Sequence, residues 1–267
     1  MRFLTEIFAS AFQLFTLILP PSLSLHLWLW IASLRKVRRL PKPVWQRRMR
    51  YFGLASWLMC SGPRISKELS EHYFSTTGIQ HVKAVTELGH GAIIVMVHQI
   101  GIRVIPWAIK RAGLLPYWLC LPPGSGLLQL SRRVRYWQHR RLFGDDSLIY
   151  RTSTGTRRLY DLLRAGAIVC MAQDLRGDRH KVTLLGQEVS LALGSVRIAR
   201  ATAARLIPAV VVPTVHGLQA QFGAPLPGNL SEEQLVAAAV ESLETLIRSA
   251  GELWSPQWRQ PEQQEGV

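Results

Sequence analysis

The chain has 267 residues, 48% of them hydrophobic, and its 32 Lys or Arg residues against 17 Asp or Glu residues give a net charge of +15. This length can bury one sizeable core, and the charge favours anionic partners such as nucleic acid, acidic lipid headgroups or phosphorylated substrates. The three cysteines, Cys60, Cys120 and Cys170, lie far apart in the sequence. This spacing argues against a disulfide framework and against a zinc site built on paired cysteines. It favours a reducing environment for the protein.

The N-terminal segment, residues 7–34, is almost entirely apolar and is interrupted by Pro20 and Pro21. Neither half reaches the roughly 20 apolar residues that a straight membrane span needs. The pattern is compatible with a helical hairpin, a kinked span or a pair of interfacial helices. A cleaved signal peptide is disfavoured because no small-x-small cleavage site precedes the basic residues that follow. Trp28 and Trp30 suit a position at a membrane interface.

Eight cationic residues lie directly after the apolar segment, between Arg35 and Arg50. Basic residues beside an apolar segment stay on the cytoplasmic side of a membrane and attract anionic lipid. The simpler alternative is a solvated helix face. A nucleic-acid interface would need such charges spread through the folded domain among stacking aromatic residues, so no nucleic-acid partner is expected. The pattern therefore places the following domain on the cytoplasmic side of a membrane, as an expectation.

The changes in composition along the chain divide it into four regions. Residues 1–34 are expected to form a membrane anchor or interfacial helices, and residues 35–60 a basic juxtamembrane helix. Residues 61–259 are expected to fold as one α/β domain. The polar residues 260–267 are typical of a disordered terminus.

After the basic segment, short apolar runs alternate with helical patterns. The predicted strands are 79–86, 92–97, 117–121, 147–150, 167–171 and 206–215, and the predicted helices are 45–73 with a break at 61–63, 102–112, 127–142, 154–164, 194–204 and 230–248. A loop or hairpin is expected around Gly186. Strands that alternate with helices predict an α/β fold with a mostly parallel central sheet flanked by helices.

His98 follows the most apolar of these strands and precedes a helix. A continuous apolar run bounded by glycine is typical of a strand buried on both faces. Open α/β sheets place their ligands at the carboxyl ends of such strands, so His98 is a candidate site residue. The alternative is a satisfied histidine at a strand end.

Several motifs in a fixed order resemble one known family. They are the strand that ends at His98, the arginine-rich helix before Gly144, and the segments LLRAGAIVCMAQD and LLGQEVSLALGSVRIARATAARLIPAVVVP. Together they resemble the late (lauroyl or myristoyl) acyltransferases of lipid A biosynthesis, within the lysophospholipid acyltransferase superfamily, over nearly the whole chain. The resemblance implies a membrane-associated domain that moves a fatty acyl group from an acyl carrier protein or coenzyme A thioester to a lipid or amphiphilic acceptor. It implies anionic membrane lipid as a partner and no cofactor.

The family motif is a histidine, four residues, and then Asp or Glu. The histidine takes the proton of the acceptor hydroxyl, and the carboxylate orients the imidazole and stabilises its cation. In this sequence the fifth residue after His98 is Arg103, and its cation cannot orient an imidazole in that way. Asp174 or Asp178, after the strand at 167–171, could supply the carboxylate instead.

Two further accounts of the missing carboxylate stay open. His98 could act alone on an easier acceptor such as an amine, or together with Arg103, which would clamp an anionic group. Alternatively, the chain could be a non-catalytic relative that binds acyl chains, lipids or a partner protein.

Three other residues are candidates for substrate binding. Arg140 and Arg141 precede Gly144, where the resemblance implies an arginine that meets phosphate, and the sequence does not distinguish between the two. Gly194 begins a helix whose free N–H groups could face an anion, although tight helix packing is the simpler explanation of the glycine. The other histidines are not spaced as metal ligands, so no metal site is predicted. The sequence also contains no nucleophile elbow and no Walker loop.

Overall fold

The computed structural model describes residues 11–13, 15–16, 18–34, 42–122, 130–173, 179–192 and 194–251. Within them, a seven-stranded sheet lies between two layers of helices, and a separate two-stranded hairpin packs beside it. The strands are β1 (Phe74–Thr77), β2 (Ala92–Met96), β3 (Pro116–Cys120), β4 (Leu148–Tyr150), β5 (Ile168–Ala172), β6 (Arg179–Leu184), β7 (Gln187–Ala192), β8 (Arg205–Pro213) and β9 (Leu218–Phe222). This confirms the predicted α/β fold.

The helices alternate with the strands along the chain. They are α1 (Pro21–Leu34), α2 (Lys42–Ser61), α3 (Lys67–Tyr73), α4 (Ile79–Glu87), α5 (Val104–Arg111), α6 (Leu130–Phe143), α7 (Ser153–Arg164), α8 (Gly194–Thr202) and α9 (Glu232–Ala250). The predicted break after α2 is a short 3-10 turn over Gly62–Arg64. Ser231 caps α9 by accepting from the backbone N–H of Gln234, as the sequence around it indicates.

The sheet order is β1-β9-β8-β2-β5-β3-β4, which places β2 at the centre. The strands β8, β2, β5, β3 and β4 are parallel, whereas β9 runs antiparallel to β8 and β1 is parallel to β9. The predicted mostly parallel sheet is therefore confirmed. The edge strand β1 and its neighbour β9 were not predicted, because β1 is four residues long and β9 carries two glutamines among its five residues.

One predicted strand is wrong, because residues 79–86 form most of α4 instead. Val82 and Val85 are buried and Ile79 packs against the same core. This spacing of three residues matches one face of a helix and not the alternating faces of a strand. Gly78, with φ +74°, provides the left-handed turn that starts the helix after β1.

The expected hairpin around Gly186 is formed by β6 and β7, whose register pairs Leu184 with Gln187. Leu185 and Gly186 form the turn, with φ values of +52° and +73°. Positive φ at both central residues is the geometry of the tight turn that best fits the twist of a two-stranded hairpin.

The core has two parts, one on each face of the sheet. Ala92, Ile94 and Met96 of β2 pack against the layer that contains α1, α2, α5 and α6. Ile93 and Val95, which point the other way, pack against α7, α8, α9 and the hairpin. All five residues of β2 are therefore buried, as expected for a central strand covered on both faces.

Helix α1 is packed against the domain and also has an exposed apolar face. Leu25 and Trp28 are buried in the core, and the indole N–H of Trp57 in α2 donates to the carbonyl of Pro21 at 2.8 Å. By contrast, Leu23 and Trp30 are 54% and 57% exposed. Among the described residues, no helix combines the length and the apolar character needed to cross a bilayer. The exposed apolar side chains are thus presented by a helix that is part of the fold.

Candidate functional site

His98 lies two residues beyond the end of β2, at the carboxyl edge of the sheet. On the adjacent strand, the N–H of Gln173 follows the end of β5 and donates to the carbonyl of Met96 at 2.8 Å. The chain segments that leave β2 and β5 are therefore side by side. His98 is half-buried, and its neighbour Gln99 donates from Nε2 to the carbonyl of Val211 at 3.0 Å. The loop after β2 is thus tied to β8.

A tight turn separates His98 from α5. The N–H of Val104 donates to the carbonyl of Gly101 at 2.7 Å, and Gly101 has φ +81°. A Cβ at Gly101 would lie 3.0 Å from Leu218, so both the backbone conformation and the space favour glycine. Arg103 occupies the N-cap position of α5 directly after this turn.

The Arg103 guanidinium reaches across the sheet toward β3 and α6. Its Cζ lies 5.9 Å from the centre of the Trp118 ring, and Nη1 makes a long 3.5 Å hydrogen bond to the carbonyl of Arg135. Desolvation, followed by the charge of Arg135, lowers the Arg103 pKa to about 10. Arg103 therefore remains cationic at neutral pH while much of its charge is withdrawn from water.

Arginines of α6 lie in the same region. Tyr136 donates from its hydroxyl to the carbonyl of Leu121 at 2.6 Å, just beyond β3. One turn further along α6, Arg140 Nη2 donates to the Tyr150 hydroxyl at 2.8 Å. Tyr150 is the register partner of Cys120, so both contacts lie at the ends of β3 and β4.

Cys120, at the end of β3, is influenced by several of these cations. Burial raises the Cys120 pKa to about 11, although a hydrogen bond with Tyr136 and the charges of Arg103, Arg140 and Arg132 oppose the rise. Three arginines thus act on one thiol. We call Arg103, Arg132, Arg135 and Arg140 the arginine cluster.

The structure distinguishes the roles of Arg140 and Arg141, whereas the sequence alone does not. The Arg141 Cζ lies 5.8 Å from the ring centre of Trp137, which is 47% exposed. Residues 132, 136 and 140 follow one another on one face of α6, and residues 133, 137 and 141 lie on the next face. Both side chains are exposed, but Arg140 belongs to the arginine cluster, whereas Arg141 lies over Trp137.

A buried histidine that sequence reasoning assigned no role lies next to Arg103. His139 is 1% exposed, its ring is 5.9 Å from Trp118 and 4.5 Å from Phe143, and its Nε2 has no hydrogen-bond partner. Burial and the charge of Arg103 lower the His139 pKa to about 2. The signal in the sequence was the apolar spacing of Val134 and Leu142, which places this side of α6 in the core.

The remaining predicted site residues lie near the ends of β5 and α8. The Ser195 hydroxyl donates to Oε1 of Gln173 at 2.8 Å and both side chains are buried, so Ser195 has a structural partner. Gly194 is exposed, and a Cβ there would meet nothing within 4 Å, so crowding does not explain the glycine. Asp174 and Asp178 lie outside the described residues, with Asp174 directly after Gln173 in the chain.

A cleft of about 900 Å³ lies on the other side of the sheet, along α9. Val182, Val236 and Val240 line it together with acidic residues such as Glu241. The described residues that line this cleft include none of the predicted site residues. The cleft is therefore separate from the edge that holds His98.

No family model matches this chain, and no curated protein matches it. The functional argument therefore depends on the residues, on the resemblance of their order and on the geometry described above.

Proposed function

We propose that the protein is a membrane-associated acyltransferase of the lipid A late acyltransferase type. It would transfer a fatty acyl group from an acyl carrier protein or coenzyme A thioester to a lipid or amphiphilic acceptor, at the cytoplasmic face of the inner membrane. The observation that carries the proposal is the position of His98, at the carboxyl edge of the central strand and beside the helix α5 that begins with Arg103.

In the proposed reaction His98 is the general base. Its imidazole takes the proton as the acceptor oxygen attacks the thioester carbonyl carbon. The tetrahedral intermediate then collapses, the carbon–sulfur bond breaks, and the departing thiolate takes up the proton that His98 accepted. The products are the acylated acceptor and the free thiol, and His98 returns to its starting form.

Asp174 is the residue that we propose to orient the imidazole. Gln173, which precedes it, is hydrogen-bonded to the end of β2 through Met96, two residues before His98. Arg103 cannot take this role, because its guanidinium interacts with Trp118 and with the backbone of α6. A carboxylate after β5 would reach the same edge of the sheet from the neighbouring strand.

The first helices support the membrane part of the proposal. Ile18 is 76% exposed and Leu23 is 54% exposed, and exposed large apolar side chains favour contact with a membrane or a partner. The basic residues that follow in the sequence favour anionic lipid. An amphipathic arrangement of this kind is compatible with binding at the membrane interface.

The second candidate is a non-catalytic protein that binds acyl chains, lipids or a partner protein. The presence of Arg103 where the family motif has a carboxylate is the observation that favours it. Both candidates share the membrane surface and the arginine cluster. They differ in whether a covalent acyl product is formed.

The deciding experiment is an acyl-transfer assay with purified full-length protein in mixed micelles. Acyl carrier protein and coenzyme A thioesters are offered with lysophospholipid and lipid A precursor acceptors, and the product is followed by mass spectrometry. We expect product with the wild type and a large loss with His98→Ala and with Asp174→Asn. His90→Ala is the matched control, because His90 lies before β2 at the opposite end of the strand. A folded wild type that gives no product with any donor and acceptor would favour the binding protein.

A further inference from the structure

The cleft along α9 is lined by that helix, by Val182 of β6 and by Arg197 of α8. The α9 residues in its lining form two rows with a spacing of four, so each row follows one side of the helix. The outer row consists of the exposed residues Glu233, Ala237, Glu241 and Thr245. The inner row consists of Glu232, Val236, Val240, Glu244 and Arg248. The cleft therefore combines an apolar floor with an acidic outer edge.

The two rows differ in how their glutamates are paired. Both glutamates of the inner row form ion pairs with arginines that line the same cleft. Among the residues that the structure describes, no Lys or Arg forms an ion pair with Glu233 or Glu241. These two residues are eight positions apart, or about 12 Å along the helix, and the small Ala237 lies halfway between them. In a chain of net charge +15, this edge is a local negative feature.

The exposed face of α6 has the complementary pattern. Arg133, Trp137 and Arg141 follow one another with the same spacing of four, and all three are exposed. We call these three residues the α6 row. No described carboxylate forms an ion pair with either arginine. The α6 row therefore has a large ring between two cations, where α9 has a small alanine between two glutamates.

The two rows cannot meet within one molecule. The buried side of α6 packs in the core on one face of the sheet, and the buried side of α9 packs in the core on the other face. Any contact between the α6 row and the cleft must therefore join two copies of the chain.

We propose that α6 of one copy docks in the α9 cleft of a second copy. The Trp137 ring lies over Ala237 and covers the apolar floor, while the two arginines of the α6 row face Glu233 and Glu241. Burial of the aromatic ring supplies most of the binding free energy, because ion pairs at the exposed edge of an interface mainly fix orientation and register. The proposal is independent of acyl transfer.

This contact joins two unlike surfaces. Each pair of copies leaves one cleft and one α6 row available for further copies, so the contact generates a ring or an open chain of molecules and not a symmetric dimer.

The first test measures self-association of the full-length protein. Sedimentation velocity in a neutral detergent, over a range of protein concentrations, should show reversible association that weakens as the ionic strength rises. Trp137→Ala should weaken the association about tenfold to a hundredfold, as expected for the loss of an aromatic anchor. Leu115→Ala is the control, because Leu115 is an exposed apolar residue outside both surfaces, and it should associate like the wild type.

A charge exchange tests the pairing of the two helices. Arg133→Glu combined with Arg141→Glu should weaken association about tenfold, and so should Glu233→Arg combined with Glu241→Arg. A chain with all four substitutions should recover most of the association, because opposite charges again face each other. Arg157→Glu, at an exposed position of α7, is the control for reversal of an arginine and should have little effect.

Mixing two variants tests whether the surfaces are unlike. Trp137→Ala retains the cleft, and the protein with Glu233→Arg and Glu241→Arg retains the α6 row. An equimolar mixture should form a complex of one molecule of each, with no larger species, because the remaining surfaces are both altered.

Three results would overturn the proposal. They are a folded wild type that stays monomeric, association that survives Trp137→Ala but is lost in Leu23→Glu on α1, and a charge exchange that fails to recover association. If Trp137→Ala does not fold, the charge variants still decide the question, since their positions are exposed. Association in a protein without acyl transfer would reject only the enzymatic function.

Discussion

The guanidinium of Arg103 lies 5.9 Å from the centre of the Trp118 ring, on a strand two positions away from the one that ends near His98. The motif of the family that the sequence resembles has a carboxylate at the position of Arg103, where it would support the histidine. In this protein the side chain at that position extends from the loop after β2 toward β3 and α6. Arg103 therefore differs from that motif in charge, and its guanidinium contacts Trp118 and the backbone of α6.

Reversing the charge at Arg103 tests this relationship. We expect Arg103→Glu to lower acyl transfer roughly tenfold to a hundredfold and to raise the apparent KM for a phosphorylated substrate, because the charge that meets the anion is reversed. Arg103→Lys should retain part of the activity. Increased transfer to a hydroxyl acceptor in Arg103→Glu would instead mean that the family mechanism is merely disabled here.

Removing the imidazole tests the proposed general base. His98→Ala should lower turnover by about 10²–10⁴-fold, the usual contribution of positioned proton transfer, while the circular dichroism spectrum and thermal unfolding stay unchanged. His90→Ala should retain wild-type turnover. An active His98→Ala protein would rule out His98 as the base.

The two adjacent arginines at the end of α6 should behave differently. Arg140→Gln should raise the apparent KM for a phosphorylated substrate about tenfold, because Arg140 lies at the Tyr150 end of the arginine cluster. Arg141→Gln should have a much smaller effect, since this side chain lies over exposed Trp137. Steady-state kinetics of the two variants at one ionic strength makes the comparison. Equal effects would indicate only a general positive field.

His139 should make stability fall in mild acid. Its pKa is lowered from 6.5 to about 2 in the folded protein, so between these values the unfolded chain binds a proton that the folded protein does not. The stabilisation is complete above about pH 6.5 and is lost as the pH falls below that value, by about 1.4 kcal/mol per pH unit.

Replacing His139 with an apolar residue should remove this dependence. From about pH 7 to about pH 5.5, His139→Leu should lose about 1 kcal/mol less unfolding free energy than the wild type. Urea unfolding at the two pH values provides the comparison. The same loss in both proteins would mean that His139 does not contribute to the acid sensitivity.

Polar substitutions on the outer face of the N-terminal helices should weaken membrane binding. Replacing Leu23 or Ile18 with Glu removes apolar contact worth about 1.5–3 kcal/mol, so partitioning into anionic vesicles should fall roughly tenfold or more. Leu88→Glu is the control, because Leu88 is 74% exposed and follows α4, before β2 begins. Vesicle sedimentation measures the bound fraction. Equal losses in all three variants would argue against a specific lipid-binding face.

Much of the fold could be predicted because the buried strands have a strong local signal. β2 is an unbroken apolar run, and the pattern of α9 combines a capping serine with regular apolar spacing. In α4, Val82 and Ala84 fit an alternating pattern, whereas the burial of Val82 and Val85 shows the spacing of a helix. β1 and β9 are held by pairing with each other and with β8, which short sequence windows do not show.

The candidate site was predictable in position but not in detail. His98 could be placed at a strand end because the apolar run stops there. The direction of Arg103 depends on the packing of α6 against β3, and the choice between Arg140 and Arg141 depends on the rotation of α6 about its axis. The burial of His139 was indicated only by the apolar spacing of Val134 and Leu142, since a histidine on a helix is by itself equally compatible with a surface position.

The packing of α1 has a practical consequence. Leu25 and Trp28 cover the core on one side of this helix, while Leu23 and Trp30 are exposed on the other. Truncation of the first 34 residues would expose Trp57 and the apolar layer around it to solvent. The shortened chain would therefore aggregate, whether or not it still bound lipid. A water-soluble form should therefore be engineered by exchanging the outward side chains of α1 for polar ones, with the helix itself retained.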